Sequence, residues 1–128
     1  MVVKENKQFE MLVESIQLLA AGYTIQASVL PDYVHIPDEI ALTFDDTYIF
    51  AENLVKDNLI NKEVKNELDN LNSLLEQMSS LKELWTMDSL EAAEAWQNVR
   101  ELATGVLKML GIEKQKPNLF WLEFVTEN

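Results

Sequence analysis

The sequence predicts a mainly all-α protein, a single domain of residues 1–128 with four main helices and short extended segments near residues 29–36 and 119–125. Three observations lead to this fold class. Apolar residues recur at three- and four-residue steps through most of the chain, which is the spacing of a helix with one buried face. Only three glycines and three prolines interrupt the 128 residues, so long helices fit better than many short strands. The length suits one domain with a real core.

The first two predicted helices differ in how well their ends are marked. The first covers about Lys4 to Ala21, and Gly22 directly after it suits a left-handed C-terminal cap. The second covers about Asp46 to Ile60, with Thr43 or Asp45 as its cap. Its core-facing side chains would be Tyr48, Ala51, Leu54 and Val55.

The third and fourth predicted helices carry the clearest signals. Asn61 is placed to cap the third helix, whose apolar residues follow steps of four, three, four and three: Val64, Leu68, Leu71, Leu75 and Met78. A short helical turn at Leu81–Trp85 follows. The fourth helix opens at Asp88, which has capping-box spacing with Glu91, and it runs to Leu110, where Gly111 ends it.

The connections are less well determined by the sequence. Tyr23–Val29 fits either a short strand or an extended connection. Pro31 and Pro37 disfavour helix at the residues before them, so residues 29–36 are expected to be extended, as a short strand or an ordered loop. Pro37 would then begin a short separate turn of helix. Residues 119–125 fit a strand beside Tyr33–Ile36 or a final helical turn.

Acidic charge is the strongest feature of the composition. The net charge is −12, and the stretch of residues 30–57 holds seven carboxylates against one lysine, a net −6. Such a surface repels nucleic acid and anionic membrane but attracts a basic protein. An acidic surface that only maintains solubility is the alternative. The N-terminus shows no signal peptide and no apolar run is long enough to span a membrane, so we expect a cytoplasmic protein.

Candidate chemistry is sparse. The chain has no cysteine and one histidine, His35, so thiolate zinc sites and cysteine nucleophiles are excluded and only carboxylates could complete a metal site at His35. The adjacent acid pairs Asp38–Glu39 and Asp45–Asp46 diverge by about 100° on a helix and do not face each other across a cleft. No glycine-rich phosphate loop is present. We therefore predict no catalytic residue, no metal site and no cofactor.

Two phrases of the sequence carry a family resemblance. They are Leu-Pro-Asp-Tyr-Val-His-Ile-Pro-Asp-Glu-Ile-Ala-Leu-Thr-Phe-Asp-Asp at residues 30–46 and Glu-Leu-Trp-Thr-Met-Asp-Ser-Leu at residues 83–90. They resemble small bacterial immunity proteins of contact-dependent growth inhibition and other polymorphic toxin systems. The resemblance implies a cytoplasmic helical protein without enzymatic activity, which binds one toxin domain, often a nuclease, and blocks its active site.

Charge and resemblance together predict a monomer that binds its toxin one to one. The acids of residues 30–46 and two tyrosine anchors would form the toxin-facing surface: Asp32, Tyr33, Asp38, Glu39, Asp45, Asp46 and Tyr48. Two other functions stay open. An adaptor could act by homo- or hetero-oligomerisation, for example as a homodimer through the Val64–Met78 seam if that seam were exposed. An enzyme could work through carboxylates if one of them had a raised pKa in a concave pocket.

Overall fold

Helices form the regular structure of residues 6–122, the part of the chain that the computed structural model describes. No strand occurs in this range, so the all-α prediction is confirmed. Seven α-helices and one 3-10 turn follow each other along it: α1 Lys7–Ala20, α2 Tyr23–Val29, α3 Ile36–Tyr48, α4 Ala51–Lys56, α5 Lys62–Met78, the 3-10 turn Lys82–Leu84, α6 Met87–Ala92 and α7 Glu94–Met109.

The core lies between the four longest helices. Helix α1 packs against α7 and α3, and α5 packs against α7. Their inward side chains are fully buried, with Ile16, Phe44, Leu68 and Trp96 among the largest. The shorter helices α2, α4 and α6 pack around this core. The predicted four main helices therefore describe the centre of the fold but not all of it. None of the helices in residues 6–122 is both long enough and apolar enough to cross a membrane.

Helix α5 follows its sequence signals closely. The side chain of Asn61 accepts a hydrogen bond from the amide of Val64 at 2.9 Å, which satisfies one of the free N–H groups at the helix start. The predicted seam is buried at all five positions: Val64, Leu68, Leu71, Leu75 and Met78. The helix ends at Met78, and the predicted short turn after it is the 3-10 turn. The seam therefore belongs to the core of a single chain.

The predicted boundaries around α3 are wrong. One helix begins at Ile36 and continues to Tyr48, where a helix over 46–60 and a separate turn at Pro37 were expected. Pro37 sits in the first turn, where its missing N–H costs no hydrogen bond. Neither Thr43 nor Asp45 caps a helix, since both lie within α3. The chain breaks after Tyr48, and the short helix α4 covers only part of the remaining predicted span.

The segment after α1 is also helical where a strand or an extended connection was expected. Gly22 has φ −67° and ψ 160°, so it is not a left-handed cap of α1 but the residue that precedes α2. Helix α2 is held by Gln26, whose side-chain amide donates to the carbonyl of Leu18 at 3.0 Å. This contact stabilises the helix through tertiary structure, in a segment whose β-branched residues favour a strand.

The predicted fourth helix is divided into α6 and α7. The Thr86 hydroxyl, not the Asp88 carboxylate, accepts from the Ser89 amide at 3.1 Å and caps α6, so the capping-box prediction is wrong. Ala93 then adopts an extended backbone and α7 begins after it. The end of α7 is as predicted, because Gly111 has φ +71°, a left-handed conformation that glycine adopts without steric cost.

The two predicted extended segments are loops in the described residues. Residues 30–35 have extended backbone at both ends and a turn between them, closed by the Val34 amide on the Pro31 carbonyl at 3.3 Å. Residues 119–122 form one turn, with the Leu122 amide on the Leu119 carbonyl at 3.1 Å. The strand alternative is therefore wrong for residues 30–35 and for residues 119–122, and residues 123–125 lie outside the described range.

The only arginine of the sequence joins four helices. Arg100 on α7 donates to the Ala21 carbonyl after α1 at 3.2 Å, to the Gln26 side-chain oxygen on α2 at 2.8 Å, and to the Leu90 carbonyl on α6. Burial lowers the pKa of the guanidinium from its ordinary value. The acceptors are neutral oxygens, two of them carbonyls at or near helix C-termini, where the helix dipole favours a cation.

Candidate protein-binding surface

Helix α3 has one face for the core and another for solvent. Its inner residues are buried: Ile36, Ile40, Thr43, Phe44 and Thr47. The Thr47 hydroxyl oxygen lies 2.6 Å from that of Ser15, so a buried hydrogen bond also joins α3 to α1. This packing fixes the rotation of α3 about its axis and therefore determines which side chains the helix presents to solvent.

The outer face of α3 alternates acidic and apolar residues. Asp38, Leu42, Asp45 and Ile49 follow at steps of four, three and four, and all are exposed. We call these four residues the outer stripe. Leu42 is 52% exposed and Ile49 is 71% exposed, among the largest apolar exposures in the described chain. The spacing is that of a helix face that packs on another helix, here with no partner from the described chain.

A groove runs beside the outer stripe. One wall is α3, and the other is formed by the end of α5 and the segment 79–85. The larger concavity has a volume of about 520 Å³, and a smaller one continues from it along α3. The residues that line both concavities are Ala41, Leu42, Ser79 and Trp85.

The far wall of the groove is held in place by its own contacts. The Trp85 indole N–H donates to the carbonyl of Met78 at 2.9 Å. Its ring meets the buried ring of Trp96 edge to face, with 5.3 Å between ring centroids. The Trp96 indole N–H in turn donates to the carbonyl of Leu84 at 2.6 Å. These bonds tie the 3-10 turn to α7 and give the groove a wall with a defined shape.

Carboxylates dominate the rim of the groove. Asp38 lines the larger concavity, with Lys82 on the opposite wall, and Asp45 and Glu76 line the smaller one. The His35 ring nitrogen Nδ1 lies 2.6 Å from an Asp38 oxygen, and both side chains are half or more exposed. The groove thus combines an apolar floor with a negative rim.

Of the predicted toxin-facing residues, most lie on or near the outer face of α3. Asp38, Asp45 and Asp46 are exposed on it, and Glu39 is half-buried at its edge. Asp32 and Tyr33 are exposed in the loop that leads into α3, with Tyr33 at 50% exposure. The structure therefore brings three predicted acids together on one helix face.

Tyr48 occupies a different environment. Its ring is half-buried and stacks on Phe44 at 5.5 Å between centroids, and its hydroxyl donates to Asp69 on α5. Lys65 donates to the same Asp69 oxygen at 2.7 Å and lies 3.5 Å from Glu52. Burial, together with the Asp69 hydrogen bond, raises the pKa of Tyr48 to about 12. In the free protein Tyr48 thus joins α3 to α5.

Sequence reasoning missed the apolar half of the surface. Leu42 and Ile49 were not among the predicted site residues, although their spacing with Asp38 and Asp45 indicates a second helix face. Trp85 and Glu76 had no such signal, because only the tertiary packing of α5 and the 3-10 turn brings them beside α3.

Residues 6–122 contain no cluster of three or more histidine and carboxylate groups placed to hold a metal ion. Comparison with models of known protein families finds none that matches this chain. Comparisons with curated proteins and with solved structures also find no match.

Proposed function

We propose that this protein is a non-enzymatic immunity protein, which binds a basic toxin domain of nuclease type in the cytoplasm, one to one, and masks its active site. One observation carries the proposal: exposed carboxylates and exposed large apolar side chains alternate along one firmly packed helix, in the outer stripe of α3. Solubility alone accounts for the acids, but it does not account for the exposed Leu42 and Ile49 that alternate with them.

The physical basis is charge complementarity supported by apolar contact. A nuclease presents lysine and arginine to its phosphate-rich substrate, so a protein with acids on a rigid surface can compete for that site. Long-range attraction speeds the encounter, and salt weakens it. Burial of Leu42 and Ile49 against the partner would then slow dissociation, since apolar contact contributes through the area removed from water.

The two other functions have less support. The Val64–Met78 seam is buried within the chain, so it is not available for the homodimer on which the adaptor hypothesis was based. The enzyme hypothesis needs a carboxyl whose pKa is raised. At Asp69 burial acts in that direction, but the hydrogen bonds from Lys65 and Tyr48 outweigh it and lower the pKa below its ordinary value. Asp69 is therefore unsuited to act as a general acid near neutral pH.

The test is a growth assay in bacterial cells. The C-terminal domain encoded by the gene directly upstream is expressed alone and together with this protein. We expect growth arrest by the domain alone and rescue on co-expression. Arrest without rescue would contradict the pairing with that domain, and a non-toxic domain would contradict the immunity function itself.

A matched pair of variants tests the surface. Asp38→Lys/Asp45→Lys reverses two charges of the outer stripe, and Glu94→Lys/Glu101→Lys reverses two exposed acids of α7. Both pairs are seven residues apart, both begin in the first turn of their helix, and both raise the net charge from −12 to −8, since each substitution adds two charges.

The association rate with the purified toxin domain distinguishes these variants. At low salt we expect the α3 variant to associate at least about tenfold more slowly than the α7 variant, because local charge guides the final approach. The difference should shrink in 0.5 M salt, where the screening length is only a few ångströms. Equal rates for the two variants would show that the toxin does not approach the outer stripe.

A further inference from the structure

The groove beside the outer stripe points to the form of the partner as well as its charge. We infer that it receives a basic amphipathic helix of the partner protein, which lies along α3 between Leu42 and Trp85. The inference rests on the proposed function, because the helix would belong to the toxin domain.

The spacing of the outer stripe is the first argument for a helix. Its steps of four, three and four match those of the buried seam on α5, which already packs against helices of this chain. Side chains at such steps form the ridge that fits the groove of a neighbouring helix. In α5 the ridge is covered by α7 and α3. In α3 the outer ridge has no cover from residues 6–122.

The dimensions of the groove are the second argument. Its α3 wall extends from His35 to Asp45, which is about 15 Å at 1.5 Å per residue. That length accepts about three turns of a helix. The floor residues Ala41 and Leu42 leave space between α3 and the Trp85 ring, and the small side chain of Ala41 permits a large apolar side chain of the partner to enter.

The charges of the rim define the rest of the occupant. Asp38 and Asp45 lie about 10.5 Å apart along the helix, two turns, and Glu76 on α5 lines the smaller concavity together with Asp45. A helix with leucine-like residues at every third or fourth position and arginine or lysine beside them would place its cations near these carboxylates. Arginine also fits because its planar group stacks on a tryptophan ring such as Trp85.

A second copy of this chain is a poor occupant. Two outer stripes facing each other would bring Asp38, Asp45 and Asp46 of one copy near the same acids of the other, and like charges at close range oppose docking. The same acids attract a basic helix. Charge thus favours a different, basic partner over self-association.

The probe is a phage-displayed library of 16-residue helical peptides, in which alternate faces carry random mixtures of apolar, basic, acidic and neutral residues. It is selected against the full-length protein.

Ala41→Phe fills the groove between α3 and Trp85, and Ala92→Phe adds the same ring at an exposed alanine of α6 outside the groove. Leu42→Gln, at a half-exposed position that is not in the core, is a second groove variant.

We expect the selected peptides to carry apolar residues at three- and four-residue steps flanked by arginine or lysine. Their affinity should fall about tenfold or more on Ala41→Phe and on Leu42→Gln, and stay within twofold on Ala92→Phe. Failure to enrich any sequence, enrichment of acidic or neutral peptides, or equal affinity for both phenylalanine variants would overturn the inference. A dimer in sedimentation that Ala41→Phe dissociates would also overturn it, in favour of a second copy.

The growth assay separates this inference from the proposed function. If wild-type protein rescues growth and Ala41→Phe rescues it equally, immunity stands and the groove is not where the toxin binds. If the wild type gives no rescue but basic helices bind the groove, the immunity function fails and the groove still recognises a basic helix of another partner.

Discussion

Arg100→Met tests whether the hydrogen bonds of Arg100 stabilise the fold. Methionine keeps much of the volume of the arginine stem but removes the guanidinium that donates to Ala21, Gln26 and Leu90. Two physical effects oppose each other here. The half-buried cation costs free energy because neutral acceptors compensate only part of its desolvation. Its removal leaves three oxygen acceptors without their donor, at one junction of four helices.

The magnitude can be worked from these contacts. Hydrogen bonds from a charged donor contribute about 1.5–3 kcal/mol each, and an unsatisfied buried acceptor costs about 1–3 kcal/mol. Relief of the desolvation cost offsets part of this loss, and we expect a net destabilisation of about 3 kcal/mol. With an unfolding entropy of about 2.1 cal/mol/K per residue, the melting temperature should fall by about 10 °C. Arg100→Lys keeps the charge without the planar fork and should lose about half as much.

Urea denaturation and thermal melting, each followed by circular dichroism, measure the effect. Gln26→Met/Arg100→Met, compared with the two single variants, gives the coupling energy of the side-chain pair, which we expect to be about 1–2 kcal/mol. A melting temperature for Arg100→Met within about 2 °C of the wild type would refute the reasoning. It would mean that the desolvation cost of the cation equals everything its hydrogen bonds contribute.

Two further predictions concern α5. Asn61→Ala removes the helix cap and should cost about 1 kcal/mol in urea denaturation, whereas Asn66→Ala, at an exposed site inside the same helix, should be neutral or slightly stabilising; equal losses would argue against the cap. Asp69→Asn removes the negative charge of the acceptor shared by Lys65 and Tyr48 and leaves a neutral amide oxygen in its place. Burial raises the Asp69 pKa, but those two donors outweigh it and lower the value in the folded state. The stabilisation is therefore present above the unfolded pKa of about 3.9 and is lost as pH falls through the folded pKa. We expect Asp69→Asn to lower the free energy of unfolding by less than about 1 kcal/mol at pH 7. In a spectroscopic titration, the Tyr48 pKa should be about 12 in the wild type and lower in the variant. An unchanged Tyr48 pKa would contradict this account.

Helix α5 could be predicted because all its signals lie within the segment itself. Asn61 supplies the cap, and the steps of the seam identify the buried face without reference to the rest of the chain. Helix α2 shows the opposite case. Its β-branched residues favour a strand, and its helical form depends on the hydrogen bonds that Gln26 makes with α1 and with Arg100, which no local pattern contains.

The limits of α3 were mispredicted for a reason of chain geometry. Pro37 disfavours helix at the residue before it, which suggested a break, but a proline in the first turn is also a normal way to begin a helix. Asp45 and Thr43 have the residue types of a cap, and both lie inside the helix. A cap residue can be read correctly only when the buried face of its helix is known.

The candidate surface divides in the same way. Its acids were visible as a charge excess, and its apolar members Leu42 and Ile49 were visible as a spacing once α3 is known to extend to Tyr48, with Ile49 as its C-cap. The opposite wall of the groove could not be predicted. Trp85 follows Leu42 by more than forty residues and reaches the groove only through the packing of the 3-10 turn. The sequence therefore predicts the α3 wall of the groove better than the wall formed by the end of α5 and residues 79–85.

The acids and the apolar residues of the outer stripe have linked consequences. An exposed helix face with Leu42 and Ile49 alone would favour self-association, because each copy offers the other an equivalent apolar ridge. Asp38 and Asp45, which alternate with them along the helix, make that symmetric contact repulsive while leaving the apolar area available. The same charges lower the energy of a basic helix at that position. Under the proposed function, a single arrangement would keep the free protein monomeric and select a basic partner, since specificity depends on the difference between the two interaction energies and not on either alone.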